Sequence, residues 1–251
     1  MKNENHIISI WGSPGAGKTT LSIKIAKEMQ DLKQTVAVVL CDNEIPSLPI
    51  VMPYGKMERR SLGELLSQPH LSRAEILKHS IPFGNNQNIG LLGYCIDENP
   101  QTYPAYSAIT AKSLLSALSC MVDCVVVDCS SNLVNNPLTL TALTVADTTL
   151  RVVNANLKST VYVRSQQEHL MEPCYRYDRQ TVVLNDVLPE QDENAHSAIV
   201  GEADYVIPHC PEIIEQFETG KLSEPFYGRG ARYFTAAVRQ IVKEVLNDAE
   251  R

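Results

Sequence analysis

Aromatic residues are scarce in this 251-residue chain, at 6% with a single tryptophan, and bases are outnumbered by acids, 22 Lys and Arg against 29 Asp and Glu. The formal charge of -7 and pI near 5.4 supply no global attraction for nucleic acid phosphates. Nonspecific DNA binding is therefore not favoured, although a local basic face is compatible with this balance. No apolar run reaches transmembrane length, and the start "MKNENHIISIWG" lacks a signal-peptide core, so a cytoplasmic location is expected. The seven cysteines are an odd number and form no C-x-x-C or C-x-C pair. Reduced thiols that fill the core are expected, not a disulfide framework. No H-x-x-x-H sets two imidazoles on one helical face and no G-x-S-x-G marks a nucleophile elbow, which leaves a hydrolase triad without support.

What is present is a soluble composition, 44% hydrophobic and 20% charged, without an internal repeat or a linker-like stretch. One domain spanning 1–251 is expected. Apolar runs bounded by turn residues recur at "HIISIW", "TVAVVL", "IGLLGYCI", "CVVVDC", "TTLRVV", "TVVLN" and "DYVI", and read as buried strands. Helical patterns at Thr19 to Leu32, Ser107 to Met121, Leu138 to Ala146, Ser159 to Leu170 and Ala231 to Asn247 lie among them. This alternation predicts an α/β fold of three layers, α/β/α, around a mostly parallel sheet of about seven strands. Ser72 with Glu75 reads as a capping box, and Asn85, Asn86, Gly90, Asn99, Pro100 and Pro104 punctuate loops.

Gly12, Ser13, Pro14, Gly15, Ala16, Gly17, Lys18 and Thr19 satisfy G-x-x-x-x-G-K-T/S between a predicted strand and a predicted helix, with Thr20 following. Glycines allow backbone N–H groups to curl around phosphate oxygens, and the helix start favours negative charge. Lys18 reaches the β and γ phosphates, and Thr19 ligates magnesium. The pattern predicts a nucleoside triphosphate site. Asp128 ends the apolar strand "CVVVD", where a carboxylate holds a magnesium-bound water beside Thr19. Cys120, Cys124 and Cys129 lie around that strand with a spacing that matches no compact zinc motif, and inert packing is the reading preferred for them.

The phosphate loop, "VVLCDNE" after the first helix, "DCVVVDCSSN" and "VVLND" together resemble the MinD/ParA group of P-loop ATPases over nearly the whole chain. The segment "IPHCPEIIEQFETGKL" looks most like the TadZ/CpaE branch associated with pilus assembly. The resemblance implies ATP or ADP with Mg2+, a homodimer in the ATP state, and a protein partner in a localisation or assembly system. It also implies recruitment through that partner to a pole or to a membrane-associated complex. By its pattern Lys18, Asp42 and Glu44 are catalytic, Thr19, Asp42 and Asp128 hold the metal, and Asn185, Pro208 and His209 contact the base. Glu44 aligns with the acid that positions the attacking water and Asp42 is assigned first to magnesium; the alternatives are that Asp42 carries the water role or that both acids open a polar loop. One departure stands out, because the family loop reads K-G-G-x-G-K-T and Ser13 occupies the place of its first lysine. That lysine reaches across a face-to-face dimer to the partner's nucleotide, and serine supplies no such charge. Binding with slow turnover is expected.

Two other readings remain open. "GSPGAGKTT" also resembles nucleotide-kinase loops, with Pro46 to Asn88 as an acceptor region, yet Arg59, Arg60 and Arg73 are its only arginines and make no arginine-rich lid. A non-hydrolysing scaffold that binds nucleotide structurally is the other. Phe234, Val238, Ile241, Val242, Val245 and Leu246 form an apolar stripe with mixed charges elsewhere, expected to dock on the domain's own sheet and not in a membrane.

Overall fold

A computed structural model describes residues 5–52, 60–83 and 88–248, with the backbone alone for 247 and 248. Asn85, Asn86 and Arg59, named above, lie outside the described residues. The elements run β1 (His6–Gly12), α1 (Lys18–Asp31), β2 (Val36–Leu40), α2 (Leu48–Val51), α3 (Leu62–Leu66), α4 (Arg73–His79), β3 (Ile81–Phe83), β4 (Ile89–Leu92) and α5 (Ala108–Ser119). They continue with β5 (Cys124–Asp128), α6 (Pro137–Val145), β6 (Thr148–Val153), α7 (Leu157–Leu170), β7 (Thr181–Val187), α8 (Ser197–Val200), β8 (Tyr205–Pro208), α9 (Pro211–Glu218) and α10 (Arg229–Asp248).

One sheet orders these strands β3-β4-β2-β5-β1-β6-β7-β8, all parallel except the β3–β4 pair. Eight strands replace the expected seven. The addition is β3, whose Pro82 removes a backbone donor and so conceals a strand in the sequence; a terminal antiparallel position tolerates it. Strand β4 is shorter than the run "IGLLGYCI", stopping at Leu92.

Alternation along the strands divides the core between the two faces of the sheet. Ile8 and Ile10 of β1 pack with Leu21, Ile25, Val38, Val126, Val238 and Ile241 on the side of α1 and α10. Ile7 and Trp11 pack with Val39, Val125, Val127, Leu114 and Leu138 on the side of α5 and α6. The apolar stripe of α10 is thereby accounted for: Phe234, Val238, Ile241, Val242 and Val245 are buried against the domain itself. Among the described residues no helix is long and apolar enough to cross a membrane.

Helix starts are capped by polar side chains, at Ser72 as expected and at three positions not singled out from the sequence. Ser107, Asn136 and Asn156 accept from the backbone N–H three residues on, and Ser72 accepts from Glu75 N at 3.2 Å. The Glu75 carboxylate stands beside Lys78 and His79.

Parallel register sets the heights of the functional loops. Ile10 and Leu40 both pair with Asp128, so the loops after β1, β2 and β5 leave the sheet side by side at its carboxyl edge. Gly12 permits the first of these exits: at φ 152°, a Cβ there would lie 1.8 Å from the Val152 carbonyl oxygen.

Lys24 of α1 is buried at 5% exposure, donating to Gln216 Oε1 at 2.6 Å and to the Leu222 carbonyl at 3.0 Å, above the Phe226 ring. Burial, with Lys27 adding repulsion, lowers its pKa to about 7 against an ordinary 10.5. Between those values the unfolded chain holds a proton that the folded chain lacks, so stability gains with rising pH across that window. Denaturant titrations at pH 6.5, 8 and 9.5 should therefore show the parent gaining stability relative to Lys24→Met as pH rises from about 7 toward 10. Parallel pH profiles for the two proteins would contradict this account.

Candidate nucleotide site

The phosphate loop leaves β1 and enters α1 through Gly15 and Gly17, both at positive φ. Lys18, the first residue of α1, turns its ammonium back over the loop and donates to the Ser13 carbonyl at 3.2 Å and to Ser131 Oγ at 2.6 Å. Burial lowers its pKa, opposed by the carboxylates of Asp128 and Asp42. Thr19 Oγ1 donates to Asp128 Oδ2 at 2.6 Å. The other carboxylate oxygen, Asp128 Oδ1, is buried and has no hydrogen-bond partner among the described residues. Burial first, then Asp42, raises the Asp128 pKa to about 6, with the Thr19 hydrogen bond and Lys18 opposing.

An orphaned buried carboxylate oxygen is costly unless something positive or donating meets it. Here a hydroxyl, that oxygen and the nearby Asp42 form a hard-oxygen set, which fits a hydrated Mg2+. Of the cysteines around β5, Cys124 and Cys129 are buried in the packing expected of them, whereas Cys120 is exposed at the end of α5.

These residues open into a cleft of about 490 Å³. Pro14, Gly15, Gly17, Lys18, Thr19 and Thr20 form its floor, Asp42, Glu44 and Asp128 one wall, and Asn185 and Pro208 the other. Ile213, Ile214 and Phe217 of α9 with Phe234 of α10 close the far end. Asp42 Oδ1 accepts from Glu44 N at 3.0 Å and Ile45 N at 2.8 Å, which shapes the loop after β2. Glu44 is exposed, and its Oε1 accepts from Asn132 Nδ2 at 2.6 Å. Asn185 donates through Nδ2 to the Ala16 carbonyl at 2.8 Å, so one amide hydrogen braces the loop.

Gly12, Ser13, Ala16 and His209 do not line the cleft. Gly12 serves the close approach to β6, and Ser13 is 1% exposed. His209 Nδ1 pairs with Asp186 Oδ1 at 2.7 Å, and Asp186 takes the left-handed conformation at φ 60°. In the proposed acceptor region Arg60 donates to the Ser80 carbonyl at 2.6 Å, and neither Arg60 nor Arg73 reaches the cleft. Sequence reasoning missed Ser131, Asn132 and the apolar end wall. The polar run after Asp128 was the available signal for the first two.

No family model matches the chain, and no curated protein does. Solved structures do. The cell-division ATPase MinD of Pyrococcus furiosus superposes with a TM-score of 0.73 at 20% identity, over 96% of this chain and 99% of that one. A ParA-family ATPase of Chlorobium tepidum gives 0.74 at 13% identity, again over 96% and 99%. This chain has the fold of the MinD/ParA ATPases. The septum site-determining protein MinD of Pyrococcus horikoshii, solved with Mg-ADP, gives 0.67 at 18% identity over 96% and 95%. That fold agrees with the order and direction of β1, β2, β5, β6, β7 and β8 around the phosphate loop.

Two substitutions test the site. Lys18→Ala, checked as folded by circular dichroism, should bind ATP roughly ten- to a hundredfold more weakly, the loss expected for a charge-assisted contact. Asp128→Asn should flatten the Mg2+ dependence of ATP binding while leaving metal-free affinity close to the parent's. Calorimetric titration of each with and without Mg2+ measures both effects.

Proposed function

We propose that the chain is a MinD/ParA-like ATPase, switched by nucleotide, that binds ATP with Mg2+ in this cleft and dimerises in that state. Slow hydrolysis then resets it, and the cycle positions or assembles a partner machine such as a pilus, secretion or partition complex. The observation that carries the reading is the Thr19–Asp128 contact, with its unpartnered carboxylate oxygen, set beneath a complete phosphate loop. Bound there, Mg2+ supplies charge neutralisation for the β and γ phosphates.

The chain's own groups have separable parts in this reading. Backbone N–H groups of the loop and the start of α1 receive phosphate oxygens. Lys18 exchanges its contact with Ser131 Oγ for the β and γ phosphates. Thr19 and Asp128, with Asp42 nearby, would hold the metal and its bound water. Asp42 and Glu44 stand where an attacking water is oriented, Asp42 from a fixed turn and Glu44 from an exposed side chain tied to Asn132. Asn185 keeps its amide oxygen for the base, and Pro208 supports it, while Asp186 lines the cleft and turns His209, which does not, toward itself. The apolar end wall favours a flat ring over a second phosphate-bearing substrate, which disfavours the kinase reading.

Dimerisation is supported by exposed apolar side chains on the loops and helices that follow the carboxyl ends of the strands: Ile45 after β2, Val134 after β5, Leu157 and Val161 on α7, and Ile214 and Phe217 on α9. Slow turnover is supported by position 13, where a buried serine offers no cation. The TadZ/CpaE placement, with cytoplasmic location and recruitment through a partner, rests on the "IPHCPEIIEQFETGKL" segment and this same departure. Sedimentation in ATP and Mg2+ should show a dimer that reverts in ADP, with turnover well below ~1 s⁻¹. Rapid hydrolysis by the isolated chain, or phosphate transfer to nucleosides, would overturn the proposal; the latter brings the kinase reading forward.

A further inference from the structure

Behind the phosphate cradle four hydrogen bonds run in series. Ser13 Oγ meets Ser159 Oγ at 2.7 Å. Ser159 Oγ accepts from Asn154 N at 3.0 Å. Asn154 Nδ2 donates to the Asn185 carbonyl at 3.0 Å, and Asn185 Nδ2 returns to the Ala16 carbonyl at 2.8 Å. Inside the loop, Ala16 N donates to the Ser13 carbonyl at 3.1 Å, so the series closes into a ring that brackets Pro14 and Gly15. Ser13 and Ser159 are both almost fully buried, at 1% and 2% exposure. Ser159 is itself fixed, since its backbone N–H donates to the cap residue Asn156 at 2.9 Å.

We propose that Ser13, Ser159 and Asn154 are positioning residues that hold the phosphate loop in its anion-receiving shape before nucleotide arrives. The inference rests on the nucleotide reading of the cleft given above. The loop turns through Gly15 and Gly17 at φ 74° and 89°, and glycine-rich backbone loses much conformational freedom when it is ordered. A loop already ordered by the ring loses that freedom on folding and not on binding, which raises affinity for any ligand that uses its N–H groups. The anchors come from the end of β6, the first turn of α7 and the end of β7, so the loop is held by elements other than its own strand and helix. Position 13 points inward. A lysine there has to abandon the Ser159 contact and a closed pocket, and Ser13→Lys should weaken nucleotide binding instead of accelerating hydrolysis.

The test uses the full chain and two probes, Mg-ATP and inorganic triphosphate, titrated calorimetrically against the parent, Ser13→Ala, Ser159→Ala, the double variant and Ser159→Thr. Each single alanine should weaken both probes alike, Ser13→Ala by about three- to tenfold, the size of one net hydrogen bond, and Ser159→Ala by at least as much, because it also leaves Asn154 N without its acceptor. The double should be no weaker than Ser159→Ala, because that variant already removes the link to Ser13, and threonine at 159 should restore affinity. Denaturant titration of every variant provides the folding control. A Ser159→Ala chain that is folded and binds triphosphate like the parent overturns the inference, as does a double variant in which the two losses simply multiply. A parent that binds neither probe overturns the nucleotide reading itself, and the inference falls with it.

Discussion

The Asp128 carboxylate is the constraint around which the site is arranged. It ends a strand whose other residues are buried and apolar, between two buried parallel neighbours, so little of it is solvated. The Thr19 hydroxyl meets it directly and the Lys18 ammonium acts at longer range, against the like charge of Asp42. Lys18 suffers the same loss of solvent, and each charge offsets part of the cost of the other. That mutual dependence explains why β1, β2 and β5 sit together at the sheet centre with matched ends. Shifting the register of β5 by one residue would turn the acid to the opposite face of the sheet, away from Thr19.

From that pair the rest of the cleft follows as successive shells. Ser131 and the Ser13 carbonyl receive the ammonium, Tyr162 fixes Ser131 through its carbonyl at 2.6 Å, and the ring of Ser13, Ser159, Asn154 and Asn185 fixes the loop from behind. The polar groups are thus concentrated at one edge of a sheet whose faces are otherwise hydrocarbon. Function and stability are separated spatially, with the two apolar layers carrying most of the folding energy.

Much of this was legible in the sequence because it is local. The phosphate loop is a contiguous pattern with a mechanical reason for each residue, Asp128 stands at the end of an apolar run, and the Ser72 cap acts three residues away. Strand β3 was not legible: three residues with a central proline carry no alternation, and only the neighbouring β4 makes them a strand. Ser159 was unremarkable for a similar reason, as its meaning depends on Ser13 some 146 positions earlier. The end wall at Ile213, Ile214 and Phe217 reads as an ordinary amphipathic helix until the fold brings it over the loop. His209, by contrast, has the sequence position of a base contact, yet it is turned to Asp186 by a bulge in β7 that no local pattern announces.

Phe234 lies near the start of the last helix and also closes the far end of the cleft. The phosphate-binding residues are all made within the first 20 positions, whereas this wall arrives more than 200 positions later. The cleft is therefore completed last, and the helix that completes its lining also packs into the core beneath α1, so its wall and the support of its cradle arrive together.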